Sequence, residues 1–264
     1  MVNAAGGAPT GTQAIERALA VLFVLASGGE LAIGEIADRT GLTAGTASRI
    51  ARALAIEGMI RRNPATDRYH LGPRSVALGR AAERVLGLDK ALPELRKLGE
   101  STCESVNLAA REGDESVVLL RVQSTLPLRF EQYVGARFPL YSTASGKAML
   151  AFGEAGDDYV SGLPTTLEPI APGTLATRSQ LARQLEQIRE RGYAIDIEEN
   201  VEGVRCVGAP VLDDEGVARA AVVLQAPAVR MRKERIEELG PAVVATAREI
   251  SHVIPDPAAL RAQG

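Results

Sequence analysis

The strongest constraint on the fold lies in residues 34–71, GEIADRTGLTAGTASRIARALAIEGMIRRNPATDRYHL, which glycines and one threonine punctuate at short intervals. A helix from Glu35 to about Arg39 ends at Gly41, the residue free to adopt left-handed backbone. Thr43 caps a second helix through about Glu57, and Gly58 stops it. Along that helix Ala47, Ile50, Ala51 and Leu54 recur at i, i+3, i+4 and i+7, so they share one apolar face. Gly45, Ser48, Arg49 and Arg52 fall on the opposite side. A hairpin over residues 59–71 follows, with Arg61 and Arg62 on one strand, Pro64-Ala65-Thr66-Asp67 as the turn, and Arg68 and Tyr69 on the return. Two helices in tight succession and a basic hairpin describe a winged helix-turn-helix, with 43–57 as recognition helix and 59–71 as wing.

The charge distribution agrees with that reading. Residues 40–74 carry Arg49, Arg52, Arg61, Arg62, Arg68 and Arg74 against Glu57 and Asp67, while the whole chain nets −3. A local positive excess on an acidic chain is the footprint of a site-specific binder of double-stranded DNA rather than an indiscriminate one. Ser48 and Arg49 are expected at base edges, and Arg52, Arg61, Arg62 and Arg68 at phosphates and groove walls. Thr43 and Thr46, at the helix start, complete the DNA-facing set. The plain alternative is a helical hairpin whose arginines are merely solvated; the coincidence of turn glycine, cap, amphipathic helix and basic hairpin argues against it.

The chain has 264 residues, 46% of them apolar and 3% aromatic, with no Trp, so its cores must be built from Ala, Val, Leu and Ile. That length suits one or two domains. Two cysteines, Cys103 and Cys206, make no disulfide framework and suggest a reducing, cytoplasmic setting. No apolar run reaches the ~18 residues of a membrane span, and the N-terminus lacks a basic-then-apolar signal pattern. Residues 1–9 and 259–264 are expected to be tails, the first disordered.

In chain order, residues 10–26 form a helix with Ile15, Ala18, Leu19, Leu22, Leu25 and Ala26 as its buried stripe, ended by Gly28-Gly29. Residues 31–33 suit a short third strand for the wing. The head is assigned to 10–74, a linker helix to 75–88, and a second domain to 89–258. That domain begins with a helix over 88–103. Strands follow at 105–111, 116–124 and 126–134, and then a helix start at 142–152. A short helix spans 157–163. Thr177 and Gln180 form a capping box for a helix that Gly192 ends. Strands at 193–198, 204–212 and 217–225 come next, the last apolar enough to be central. A closing helix over 232–254 is interrupted at Gly240-Pro241. The fold class is α+β, with an antiparallel sheet in the second domain.

Chemistry-bearing candidates in that domain are few. Ser145-Gly146-Lys147 lacks the upstream glycine and following hydroxyl of a phosphate loop, yet amide groups at a helix start can hold a carboxylate. Asp196, Glu198, Glu199 and Glu202 invite a carboxylate-pair hydrolase, but nothing identifies a nucleophile. A solvated strand edge and turn is the expected reading of all four. Cys206 lacks a nearby histidine, since His70 falls in the wing and His252 in the last helix, so it reads as a small core residue or a pocket lining. No metal site, cofactor or catalytic residue is expected, and the chain is not read as an enzyme.

With these residues in view, the chain resembles the IclR family of bacterial transcriptional regulators. AIERALAVLFVLA, the helix-turn-helix, NPATDRYHLGPRSVALG, YSTASGKAMLA, RGYAIDIEENVEGVRCVGAPVLDDEGVARAAV and AREIS stand in family order. The resemblance implies a winged helix-turn-helix, a linker helix used in dimerisation, and an effector domain of GAF/profilin-like fold, assembled as a dimer and often as a tetramer. It implies a sequence-specific regulator controlled by a small, commonly carboxylate-bearing effector. The alternative is a small-molecule binder or catabolic enzyme whose head docks a protein. Effector contacts are implied at the amides of Ala144 and Ser145, at Asp196 and Cys206 on adjacent strands, and at Val223 and Gln225 on the last strand, where the family carries serines. Phe130, on the third strand, would form an apolar wall. Two departures lie in the head: Thr43-Ala44-Gly45 replaces a lysine-bearing helix start, and Gly34 stands where a Thr or Ser cap is usual.

Overall fold

A computed structural model of the chain describes residues 12–255. The two expected tails and the start of the first helix, at Thr10 and Gly11, lie outside the described residues. The chain divides into two compact units between Glu83 and Arg84.

In the first unit α1 (Gln13–Gly28), α2 (Ile33–Thr40) and α3 (Ala44–Ile56) precede a hairpin of β1 (Ile60–Arg62) and β2 (Tyr69–Leu71). Val21, Leu25, Leu31, Ile36, Ala37, Ala47, Ala51 and Ile60 are the buried core. Gly41, at φ 68°, ends α2 in the left-handed region as expected, because a Cβ there would be strained. Three expectations are corrected. The inner stripe of α1 is Val21 and Leu25, whereas Ile15, Leu19 and Phe23 are exposed, because α2 and α3 cover only one side of the helix. Helix α2 begins at Ile33, so its cap position is Ala32 rather than Gly34. The Glu35 carboxylate takes the Ala32 N–H at 2.8 Å in place of a capping hydroxyl. Residues 31–33 form no strand; Leu31 alone bridges Tyr69 through paired 2.9 and 2.8 Å hydrogen bonds before the helix starts.

Helix α4 (Pro73–Val85) carries no buried residue, and Val76, Leu78 and Val85 on it are exposed. In the second unit, α5 (Leu88–Thr102) leads into β3 (Ser105–Glu112) and β4 (Glu115–Val122). Then come β5 (Arg137–Pro139), α6 (Ala144–Phe152), α7 (Gly156–Gly162), α8 (Arg178–Arg191), β6 (Ala194–Ile197), β7 (Val204–Leu212), β8 (Ala218–Pro227) and α9 (Lys233–Ser251). The strands form one antiparallel sheet in the order β5-β4-β3-β8-β7-β6, with β8 central as its apolar sequence predicts.

Alternation along β8 serves two cores. Ala220, Val222 and Leu224 pack with α5 and α9, and Ala221 and Val223 pack with α6 and α8. The Thr177–Gln180 capping box forms, and Gly192 ends α8 at φ 83°. Residues 126–134 are not a strand. Pro127 cannot donate to a ladder, and the backbone is held by side chains instead: Arg230 donates to the Leu128 carbonyl at 2.9 Å and Arg121 to that of Gln132. The third strand in sequence is the short β5, paired with β4. Helix α9 runs unbroken through Gly240-Pro241. Burial of Leu239, Val243, Ala247 and Ile250 outweighs a proline cost of ~3 kcal/mol, and Gly240 admits the Tyr193 ring, which a Cβ would meet at 2.5 Å.

Candidate functional sites

In the first unit, α3 separates its residues by face. Ala47 and Ala51 are sealed in the core, while Arg49 and Arg52 are exposed on the other side. Thr43 caps the helix, its Oγ1 accepting the Thr46 N–H at 3.3 Å and donating to the Thr46 hydroxyl at 3.0 Å. Ser48 is half-buried beside Arg49. Arg61 and Arg62 are exposed on β1, and Arg62 pairs with Asp67 in the turn and lies 6.0 Å over the Tyr69 ring. Among the described residues, Arg49, Arg52 and Arg61 have no ion-pair partner, so their charge faces outward undiminished. Arg68 behaves differently from the other wing arginines. It donates to Glu35 at 2.6 Å and to the Glu30 carbonyl at 3.2 Å, tying the wing to the start of α2. The Ala32 amide, then Arg68, holds the Glu35 carboxyl below its ordinary range.

In the second unit a cavity lies between the sheet and α6. Phe130, Ala144, Ser145, Asp196, Cys206, Val223 and Gln225 all line it. Phe130 reaches it from the irregular segment after β4 rather than from a strand. Register explains the convergence: Asp196 faces Cys206 across β6–β7, and Cys206 faces Gln225 across β7–β8. The next row down pairs Gly208 with Val223, and Val223 with Asn107.

Helix α6 begins directly over that second row. A Cβ on Gly208 would stand 2.9 Å from the Ala144 backbone, so only glycine lets the helix start come this close to the sheet. Thr143 Oγ1 takes the Gly146 N–H at 3.0 Å, and the Thr143 carbonyl takes that of Lys147. This capping leaves the amides of Ala144 and Ser145, the first of the helix, without an intrahelical acceptor. They form the positive end of the helix dipole at the cavity.

Asp196 is 3% exposed, and burial pushes its carboxyl up to about 7, against the opposing pull of Lys147. It is therefore not part of a solvated strand edge, nor is Glu199, which is buried against Lys147. Glu198 does not share a face with Asp196: the strand ends at Ile197, and Glu198 turns at φ 61° to bind Arg205 at 2.8 Å and the Gly203 amide at 3.1 Å. Burial, with Asp196 beside it, raises the Cys206 thiol well above its ordinary value and keeps it neutral, the opposite of an activated nucleophile.

Sequence reading missed Asn107, Gln132, Phe138, Thr143 and Asn200, which also line the cavity. Asn107 left a signal: it interrupts the apolar run of β3 at a position whose neighbours, Val106 and Leu108, face the other core. Gln132 and Asn200 left none, because the loops that carry them have no periodicity. Among the described residues no Lys, Arg or His lines the cavity. Among the described residues, no helix is long and apolar enough to cross a membrane.

The comparisons with known proteins place this arrangement. The family profile "Bacterial transcriptional regulator IclR C-terminal" matches residues 84–252, and "IclR helix-turn-helix domain" matches residues 14–64. The HTH-type transcriptional regulator BhcR of Paracoccus denitrificans is 35% identical over 91% of this chain and 87% of its own. The crystal structure of IclR from Thermotoga maritima superposes with a TM-score of 0.75 at 31% identity, over 90% of this chain and 97% of that one. An IclR homologue from Microbacterium hydrocarbonoxydans, solved with 4-hydroxybenzoate, shares the fold at TM-score 0.73 and 23% identity, over 91% of this chain and all of the other.

Proposed function

The chain belongs to the IclR family of bacterial transcriptional regulators, and from that premise we propose that it reads a pseudo-palindromic operator through α3 and the wing, under control of a small organic acid bound between α6 and the sheet. The family and its relatives are regulators rather than enzymes. The observation that carries the DNA half is the division of α3, with Ala47 and Ala51 sealed while Arg49 and Arg52 stand free. Arg49 and Ser48 read bases; Arg52, Arg61 and Arg62 hold phosphates, with Thr43 and Thr46 at the helix start. Arg68 positions the wing through Glu35 and contributes less to DNA directly.

The acid half rests on the cavity. Two helix-start amides, with an Asp196 that carries its proton below about pH 7, favour one carboxylate, and Val118, Phe130, Phe138 and Val223 favour an apolar body. A hydroxybenzoate bound by a protein of the same fold supports that ligand class. Residues 10–74 act as head, 75–88 as linker and 89–258 as effector domain, in a cytoplasmic homodimer able to pair into a tetramer. The exposed Ile15, Leu19 and Phe23 on α1 and Val76, Leu78 and Val85 on α4 are apolar surface of the kind a second copy covers. Effector binding shifts the spacing of the two heads and so operator affinity. A gel shift on the DNA flanking the protein's own gene tests the reading: a salt-sensitive, sequence-selective shift supports it. No shift at low salt, with capture of a protein partner by the head, overturns it.

A further inference from the structure

The cavity has a polar end that a carboxylate does not explain. Gln225 is 3% exposed, faces Cys206 across the ladder and lines the cavity. Among the described residues no hydrogen bond ends on its side-chain amide. Among the described residues no side-chain nitrogen or oxygen sealed from solvent lacks a partner, so the Gln225 amide opens onto the cavity itself. Asn107, 2% exposed, lies diagonally across the β3–β8 ladder from it and donates Nδ2–H to Gln132 Oε1 at 2.7 Å. That bond uses the donor of one amide and the acceptor of the other. It leaves Asn107 Oδ1 as a free acceptor and Gln132 Nε2 as a free donor. Arg121 holds Gln132 in place by its backbone carbonyl.

These groups are uncharged, and Lys147, the cation that acts on Asp196, is paired with Glu199. Among the described residues the cavity lining holds no Lys, Arg or His. Nearby Arg121 is engaged with the Gln132 carbonyl and Gln123, and Arg129 with Glu131. A second carboxylate, which only accepts hydrogen bonds, would meet Asn107 Oδ1 unfavourably and lack a counter-charge. A hydroxyl both donates and accepts, as this pair requires.

Resting on the reading of the cavity as the effector site, we propose that the amides of Asn107, Gln132 and Gln225 form a second, neutral subsite that reads a hydroxyl on the effector. The chain then responds to a hydroxylated monocarboxylic acid in preference to its unsubstituted parent or a dicarboxylate. Buried polar groups left unpaired by the parent acid supply the discrimination.

The test uses the full chain and calorimetric titration with matched acids: benzoate and 4-hydroxybenzoate, phenylacetate and 4-hydroxyphenylacetate, valerate and 5-hydroxyvalerate, with terephthalate as the dicarboxylate. The expected result is at least one pair whose hydroxylated member binds about tenfold or more tightly, with terephthalate weaker than either. Gln132→Leu, on a half-exposed irregular segment where folding is least at risk, brings that ratio near one, as does Gln225→Met. Equal affinities within every pair, a ratio that survives both substitutions, or preference for terephthalate overturns the proposal. Binding of none of these acids, by protein that still shifts its operator, overturns the acid reading beneath it.

Discussion

Lys147 Nζ lies 2.6 Å from both carboxylate oxygens of Glu199, with both side chains sealed from solvent. The same ammonium donates to the Ile195 carbonyl at 2.6 Å and to Gln184 at 2.7 Å. The lysine that follows Ser145-Gly146 is thus spent on the scaffold, pinning α6 to the end of β6 and to α8, and is not offered to a ligand. Glu199 in turn donates its backbone N–H to Asp196 Oδ1 at 2.7 Å, so the pin reaches the cavity floor.

Lys147→Met leaves Glu199 buried without its partner and should lower unfolding free energy by ~3–5 kcal/mol. Replacing both residues with apolar ones should recover much of that loss. Denaturant unfolding of the single and double variants measures it; equal losses in both would show that the pair's burial is not what matters.

Asp196 makes the protein pH-sensitive with a defined sign. Its folded value, about 7, lies above its ordinary 3.8, so between those limits the folded state holds a proton the unfolded chain has released. The group's stabilising contribution is complete below pH 3.8 and is lost as pH rises through 7. Asp196→Asn removes that decline, which runs at up to ~1.4 kcal/mol per pH unit. With Lys147 and Glu199 neutralising one another behind it and the Cys206 thiol neutral in front, ionised Asp196 would also repel an acid effector. Acid affinity should therefore weaken above pH 7 in the wild type and stay flat in Asp196→Asn. Parallel pH profiles of the two proteins would refute this.

Gly208→Ala should push the start of α6 off the sheet, because its Cβ would meet the Ala144 backbone at 2.9 Å. A stability loss of ~1–3 kcal/mol is expected, together with loss of effector-induced thermal shift and retained operator binding. A normal thermal shift with the acid would show that the helix-start amides are not its anchor.

Arg49→Ala should cost ~1–3 kcal/mol on operator DNA and little on random DNA. Arg61→Ala should weaken both alike and reduce the salt slope by about one. Arg68→Ala should instead lower the melting temperature of the head, because its guanidinium is committed to Glu35 and the Glu30 carbonyl. Fluorescence anisotropy across a salt series separates the three; a full unit of salt slope lost with Arg68→Ala would place it on phosphate.

Local chemistry was legible wherever one residue's backbone freedom or one short period decided the outcome. Gly41, Thr43, Gly192 and the Thr177–Gln180 box end or start their helices as the sequence predicts, because capping and left-handed backbone involve only neighbours in the chain. The apolar run of β8 marked it as central. The inner face of α1 was not legible, since Ile15 and Leu19 are as apolar as Val21, and only the placement of α2 and α3 selects among them. Nor was the course of residues 126–134, where side chains distant in sequence hold the backbone.

The sequence by itself determined where helices begin and end, which residues can turn, and that a cationic surface backs onto an apolar one in α3. Tertiary structure decided which of these meet. The register of β6, β7, β8 and β3 brings Asp196, Cys206, Gln225 and Asn107 onto one floor, and Lys147 finds Glu199 across 52 positions of chain. Such contacts have no local signature, because the free energy that fixes them comes from burying two apolar faces of one sheet at once.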